Sequence, residues 1–296
     1  MHNKPTYQAF QPSDPTQIDA LAALWNSACP DDLHISSRFV RYNIGAITGG
    51  TQAGRCAVVN GEIVGAVLAS ALPDHSLVNP QATGWIDLIA VQPAQQRQGI
   101  GRALISWAER WLTDRKCRRI QVGGSQRPFV PGVPTALESD AFFDRLGYGN
   151  AQRVWDVAAD LATYQPPATV REVPGAVRPA QPGDEAALHA FLAREFPGRW
   201  YFDFQEYCRM ADYRLTDFML LWTERGVDGF CRLTFEDSPR PIERYYPYTL
   251  PRPWGQLGPI GVSADCRGQG FGAAVLDAGL RRLHNNGVNG CVIDWT

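Results

Sequence analysis

Gln96-Arg97-Gln98-Gly99-Ile100-Gly101 stands between an apolar run and a long amphipathic segment, and Arg267-Gly268-Gln269-Gly270-Phe271-Gly272 stands in the same setting in the second half of the chain. Each fits the pattern Gln/Arg-x-x-Gly-x-Gly/Ala. A strand that turns through glycine into a helix presents the unbonded N–H groups of the first helical turn at the positive end of the helix dipole, and glycine lets that backbone come within hydrogen-bond reach of an anion. Each favourable charge there contributes about 0.3 to 2 kcal/mol, so several donors together can hold a pyrophosphate. The chain has no G-x-x-x-x-G-K-S/T, and Leu104 and Ala273 occupy the third-glycine places of the dinucleotide G-x-G-x-x-G. Nucleotide hydrolysis and hydride transfer lose support.

Working outward, Gly84 to Val91 reads as a buried strand, and Ile100, Ala103, Leu104, Trp107, Ala108 and Trp111 mark one face of a long helix. That spacing makes the tryptophans core rather than a stacking platform. Upstream, Tyr7 to Phe10 is a strand, Ser13-Asp14-Pro15-Thr16 opens a helix over Gln17 to Ala28, and Asn60-Gly61 joins two strands, Gly54 to Val59 and Glu62 to Leu72. Downstream, Arg119 to Val122 is a strand, Ser139 to Leu146 a short helix, and Val154 to Leu161 the last strand of a first domain, residues 1–161. A proline-containing linker, 162–176, precedes a second domain, 177–296.

There the order repeats. Val177 to Pro179 is a strand, Gly183 to Glu195 a helix, Phe218 to Thr223 and Val227 to Thr234 a hairpin, Leu257 to Val262 a buried strand, and Phe271, Val275, Leu276 and Leu280 one face of a second long helix; Gly290 to Trp295 is the final strand. Gly99 and Gly270 lie 171 residues apart and the hairpin glycines Gly61 and Gly226 lie 165 apart. Near-equal offsets favour duplication.

The 296 residues carry 28 basic and 30 acidic side chains, so no global field attracts nucleic acid or an anionic membrane. No apolar run reaches the ~18 residues of a membrane span, and no leader precedes the first strand, which reads as a cytoplasmic chain. Seven scattered cysteines form no C-x-x-C pair, and His34, His75, His189 and His284 have no ligand-like spacing, so neither a disulfide framework nor a metal site is expected.

The two loops, in matching element order, resemble the hallmark of the GNAT superfamily of acyl-CoA-dependent N-acyltransferases. The resemblance implies an α/β (mixed α+β) chain of two tandem domains, each a mixed, mostly antiparallel sheet with helices on both faces, and acetyl-CoA as the cofactor. By the same resemblance, the backbone around Gln96, Arg97, Gln98, Gly99, Ile100, Gly101 and Arg102, and around Arg267, Gly268, Gln269, Gly270, Phe271 and Gly272, holds the pyrophosphate. Ile89, Ala90 and Val91, with Ile260, Gly261 and Val262, run beside the pantetheine arm. The acceptor implied is the primary amine of a small molecule such as an amino sugar.

Acyl transfer to an amine needs a base, and Asp87 is the only carboxylate on the fourth strand of the first half, where the family often keeps one; Gly258 stands at the equivalent place in the second half. The family's usual proton-donating tyrosine is replaced by Phe143 in Phe142-Phe143-Asp144-Arg145-Leu146-Gly147-Tyr148, so either Tyr148 or water is the donor or the chemistry of this half has drifted. Arg127 and Phe129, in the long segment from Gly123 to Pro134, stand beside the expected acceptor site, as a substrate wall or a structural loop. Tyr245, Tyr246 and Tyr248, next to Arg244, rim a pocket or cover the sheet.

The second domain stops after its fifth strand, before the family's last helix and two strands. That leaves an open sheet edge, a pairing liability from which a homodimer is one expectation. Two alternatives accompany the N-acetyltransferase reading: a non-catalytic acyl-CoA-binding protein, and one catalytic half joined to one degenerate half.

Overall fold

After β1 (Thr6–Ala9), the Asp14 carboxylate accepts the Thr16 N–H at 2.9 Å and Pro15 fills the first position of α1 (Pro15–Ala28), so the cap read from sequence forms. α2 (Ser37–Asn43) follows, capped by Ser36. β2 (Thr51–Val59) and β3 (Glu62–Ala71) are joined through Asn60 and Gly61, both left-handed at φ 52° and 86°, as the tight hairpin requires. β4 (Thr83–Val91), α3 (Ile100–Asp114), β5 (Arg119–Val122) and α4 (Asp140–Asp144) complete the first set. The computed structural model describes residues 4–73, 75–149, 152–242 and 250–296.

The strand order is β1-β2-β3-β4-β5, antiparallel except for the parallel β4–β5 pair. Leu21, Leu24 and Trp25 of α1 and Phe39 and Val40 of α2 share a core with Leu68 and Leu88, while Ile100, Leu104, Ala108 and Leu112 of α3 share another with Val67 and Ile86. Alternate residues of β3 and β4 thus feed two apolar layers, one on each face. Trp107 and Trp111 are only partly buried; they stack at 6.4 Å on the flank of the α3 core, with Arg115 over the Trp111 ring.

β6 (Val157–Asp160), β7 (Ala176–Pro179), α5 (Glu185–Glu195), α6 (Arg199–Cys208), β8 (Phe218–Thr223), β9 (Gly226–Phe235), β10 (Trp254–Val262), α7 (Phe271–Asn285) and β11 (Gly290–Ile293) make a second sheet in the order β6-β11-β10-β9-β8-β7. α5 and α6 cover one face through Phe191, Leu192, Phe204 and Tyr207, and α7 the other through Val275, Ala278 and Leu283.

β6 corrects the sequence reading. It does not close the first sheet; it pairs antiparallel with β11, Val157 opposite Ile293 and Asp160 opposite Gly290. Leu161 anchors it, fully buried in the α7 core, with its N–H donating to Asn289 O at 2.6 Å and its carbonyl 2.7 Å from His284 Nδ1. The two compact units accordingly divide as Met1–Arg153 and Val154–Thr296, so the boundary moves from residue 161 to 153 and the segment 162–176 runs within the second unit. β11 therefore has no open edge, and the expectation of a homodimer loses the free strand on which it stood. All seven cysteines are free thiols.

α2 and α6 were not visible in the sequence. α2 is two turns long, and α6, Arg-Trp-Tyr-Phe-Asp-Phe-Gln-Glu-Tyr-Cys, is built from middling helix formers that gain their helix by burying Phe202, Phe204 and Tyr207.

Candidate active site

Both glycine loops take the same path. β4 ends in a 3-10 turn, Pro93–Gln95, then Arg97 (φ 63°) and Gly99 (φ 86°) adopt left-handed backbone and α3 begins; β10 ends in a turn at Ala264–Cys266, then Gly268 (φ 73°) and Gly270 (φ 93°) do the same before α7. Side-chain amides brace each turn, Gln98 Nε2 on Ala94 O at 3.4 Å and Gln269 Nε2 on Asp265 O at 2.6 Å, and Gln96 Nε2 reaches back to Val91 O at 3.1 Å. The first i→i−4 bonds are Ala103 N–H to Gly99 O and Ala274 N–H to Gly270 O, both 3.0 Å. The N–H groups of Ile100, Gly101 and Arg102, and of Phe271, Gly272 and Ala273, therefore have no helical acceptor. A Cβ at Gly99 or Gly272 would meet nothing within 4 Å, so backbone lies open to a ligand there.

The strands leading into these loops splay from their neighbours. β4 pairs with β5 only from Thr83 to Ile86, and β10 with β11 only from Trp254 to Gln256. Ile89 to Val91 and Ile260 to Val262 have no partner strand on that side. A bulge precedes each free stretch: Leu68 faces Leu88 and Ala69 faces Ile86, leaving Asp87 as an extra residue, while Gly258 and Pro259 together oppose Arg232 between the Leu257–Leu233 and Ile260–Cys231 pairs.

Asp87, on that bulge, is 1% exposed. Gln52 Nε2 donates to one carboxylate oxygen at 3.0 Å and Ser70 Oγ to the other at 2.9 Å, and the Ser125 hydroxyl adds a third bond. Burial pushes its pKa up to about 6, although all three hydrogen bonds pull the other way. Gln52, Ser70 and Ser125 also line a cleft of about 330 Å³, walled by Leu72, Trp85, Gly45 and Arg127. Gln126 contributes an Oε1 that is buried without a partner. The arrangement is a partly apolar hollow with a basic carboxylate beneath its polar floor.

Other expected residues are placed differently. Arg127 does wall the cleft, held by its Nη1 on Tyr42 O at 3.1 Å. Phe129 does not: it is 1% exposed and meets Phe39 edge-on at 5.6 Å, a core residue out of reach of any ligand. Phe143 is likewise buried. The Tyr148 hydroxyl donates to Glu109 Oε1 of α3 at 3.0 Å, and burial and that carboxylate push its pKa up, so its proton is already committed.

Sequence reasoning missed three things. Gln52 and Ser70 carry no motif and become visible only through strand register, Gln52 of β2 opposite Ser70 of β3 and Ser70 opposite Trp85 of β4. A carboxylate does stand at the bulge of the second unit: a Cβ on Gly258 would lie 3.7 Å from Asp294 Oδ1, supplied by the chain just beyond β11. His189, read as a surface or capping residue, comes together with Glu185 and Cys208, their ligand-type atoms all within 4.8 Å of one another. Arg244, Tyr245, Tyr246 and Tyr248 lie outside the described residues.

A mixed sheet that splays beside a glycine-turned helix start occurs twice in one chain. The sequence profile of the acetyltransferase (GNAT) family matches residues 18–129 and 186–295, and the chain belongs to that family. A GCN5-related glucosamine N-acetyltransferase region of a fungal multi-domain GH3 beta-N-acetylglucosaminidase superposes with a TM-score of 0.84 at 23% identity, covering 99% of this chain and 36% of that one. The chain thus spans about a third of that protein's length. A tandem GNAT protein from the clavulanic acid biosynthesis pathway gives 0.67 at 15% identity, covering 98% and 90%. A GCN5-related N-acetyltransferase from Sphaerobacter thermophilus gives 0.63 at 20%, covering 97% and 86%. At these identities the likeness is one of fold. No curated protein sequence matches the chain. Among the described residues no helix is long and apolar enough to cross a membrane.

Proposed function

We propose that the chain is an acetyl-CoA-dependent N-acetyltransferase that acylates the primary amine of a small molecule, with the chemistry in the first unit. The observation that carries this reading is Asp87: a buried carboxylate with a pKa near 6, on the bulge where β4 leaves β5, beneath a cleft of small-molecule size. Coenzyme A would supply the acetyl group as a thioester. The open amides from Gln98 to Arg102, with Gln96 and Arg97 beside them, fit its pyrophosphate, and the unpaired edge at Ile89, Ala90 and Val91 fits its arm. Ile260 to Val262 and Arg267 to Gly272 offer the second unit the same fit.

An amine reaches the cleft mostly as ammonium and must lose a proton before it attacks. Asp87, raised to about 6, is a stronger base than an ordinary carboxylate and is still ionised at neutral pH; a positioned base of this kind contributes about 100- to 10,000-fold. Gln52 and Ser70 fix both its oxygens, and a water passing between Ser70, Ser125 and the amine is the proton path in this reading. Gln126 Oε1 offers an unused acceptor to a substrate N–H or O–H. With Phe143 buried and Tyr148 committed to Glu109, solvent is the source of the proton for the leaving thiolate.

The test is thiol release from acetyl-CoA across a panel of small amines, with glucosamine first because the fungal region of similar fold is a glucosamine N-acetyltransferase. Turnover that disappears in Asp87→Asn supports the reading. Acetyl-CoA binding without turnover on any amine would make the chain a non-catalytic acyl-CoA-binding protein. The reading with one degenerate half draws its support from Gly258, which leaves β10 without a carboxylate of its own at the bulge.

A further inference from the structure

The cleft above Asp87 has a charge pattern of its own. Asp87 is sealed beneath it at 1% exposure, and among the described residues no carboxylate walls it and Arg127 is its one charged lining side chain. The rest of the wall is apolar or neutral, as at Ile47, Leu72, Trp85 and Ser70. Arg127 is half-buried and pairs with no acid among the described residues. Its partners there are Tyr42 O, which accepts from Nη1 at 3.1 Å, and the Tyr42 ring, whose centre lies 5.1 Å from Cζ. Nε and Nη2 have no such partner and are not among the sealed polar atoms, so the guanidinium brings unused donors to an open cavity of about 330 Å³.

The surroundings hold that fork in place. Tyr42 lies in the last turn of α2, and Gly45 stands two residues beyond its end, where a Cβ would collide with Arg127 Nη1. A side chain held in this way has given up part of its rotamer freedom before a ligand arrives. With Nη1 on Tyr42 O, the edge formed by Nε and Nη2 is left for a ligand, and the planar arginine fork matches a carboxylate or a phosphate with two parallel hydrogen bonds. A lone cation on a largely apolar wall attracts an anion and repels a second cation. Ser125, whose hydroxyl bonds Asp87, precedes Arg127 by two residues on the same wall, a span of at most about 7 Å of chain. A base end and a cationic end therefore share one cavity of small-molecule size.

We infer that Arg127 is the specificity-determining residue of this cleft and that the acceptor it selects is a small amine bearing a carboxylate or a phosphate, the anionic group on the Nε and Nη2 edge and the amine toward Ser125 and Asp87. The inference deepens the reading of the first unit as a small-amine acetyltransferase and rests on it for the amine.

The experiment is calorimetric titration of the full chain with glucosamine, glucosamine 6-phosphate and glucosaminate, in the presence of free coenzyme A, which has no acetyl group to transfer. Wild type is expected to bind at least one of the anionic amines about 10- to 100-fold more tightly than glucosamine, the range a charge-assisted pair supplies, and the better of the two separates phosphate from carboxylate. Arg127→Gln, which keeps an amide donor and loses the charge, should bring the anionic and neutral amines within about threefold of each other. Gln98→Glu, in the glycine loop, should keep the preference. If Arg127→Gln does not fold, Arg127→Lys is read in its place: it keeps the charge and a donor for Tyr42 O, loses the fork, and should lose at least about threefold of the preference. The inference is overturned by a wild type that binds none of the three amines or prefers neither anionic one, by a preference that the Arg127 variant retains in full, or by one that vanishes in Gln98→Glu and survives in Arg127→Gln. Failure of the acetyltransferase reading is a separate result, an anionic amine that binds through Arg127 and releases no thiol from acetyl-CoA. Thiol release with glucosamine and no anion preference would leave that reading standing and remove this inference.

Discussion

Asp87 is held by three hydrogen bonds and still has its pKa raised, because the cost of burying its charge outweighs them. Moving a carboxyl from its ordinary 3.8 to about 6 places a burden of roughly 3 kcal/mol on the folded state once the group is ionised. The fold binds this proton more tightly than the unfolded chain does, so the burden is complete above about pH 6 and absent below the ordinary 3.8. Asp87→Asn is therefore expected to melt at or above the wild-type temperature at pH 8, with the difference shrinking as pH falls toward 4, while turnover drops about 100- to 10,000-fold. Wild-type kcat/KM should fall below about pH 6, a limb the variant lacks; a profile flat through that region would remove Asp87 from the chemistry. Tyr148→Phe tests the other residue named from sequence: it loses the bond to Glu109, a cost of about 1 kcal/mol read from thermal unfolding, and should leave turnover within a few-fold. A hundredfold loss would return Tyr148 to the proton path. Sequence supplied Asp87 as the one carboxylate on its strand, and Phe143 through a short pattern. It did not supply Gln52, Ser70 or Asp294, whose proximity to the bulges depends on strand pairing.

At the scale of elements, the strand–turn–helix joints repeat with the same order and the same left-handed positions, and they were the most legible part of the chain. Their signals are local: a buried run, positive-φ positions and a 3.6-residue apolar period all lie within about 30 consecutive residues. The short α2 and the aromatic α6 were hidden because tertiary burial, not propensity, forms them. Gly272 is the cleaner place to test a loop, since its φ is not left-handed and a side chain meets no neighbour there, whereas Gly270 at φ 93° would add backbone strain. Gly272→Glu is expected to leave unfolding unchanged and remove one bound acetyl-CoA per chain by calorimetry, if wild type binds two. The first-unit counterpart is Gln98→Glu, which adds the same charge beside Gly99 without altering a left-handed glycine. A stoichiometry unmoved by either change would refute the assignment of these loops.

For the whole molecule, the decisive element is β6. Four exposed residues carry little hydrophobic pattern, yet they extend the second sheet by pairing with a strand about 130 residues later, and Leu161 locks them to α7. Leu161→Ala is expected to destabilise the second unit by about 2 to 5 kcal/mol, the usual cost of an emptied leucine site, and to leave the first unit's transition in place. Unfolding followed by hydrogen exchange distinguishes the units. Protection lost in β1 to β5 instead would show that the strand serves the first sheet, as its position in the chain suggests.

The sequence by itself determined the duplicated order of elements, the two glycine turns that open long helices and the single carboxylate of the fourth strand, because each of these is written in neighbouring residues whose geometry is set by backbone sterics and helix periodicity. Only the tertiary structure decided which sheet β6 joins, that Phe129 is core and Tyr148 is bound to Glu109, and that Gln52 and Ser70 hold Asp87. Those facts arise from contacts between segments distant along the chain, where strand register and burial choose the neighbour and no local pattern records the choice.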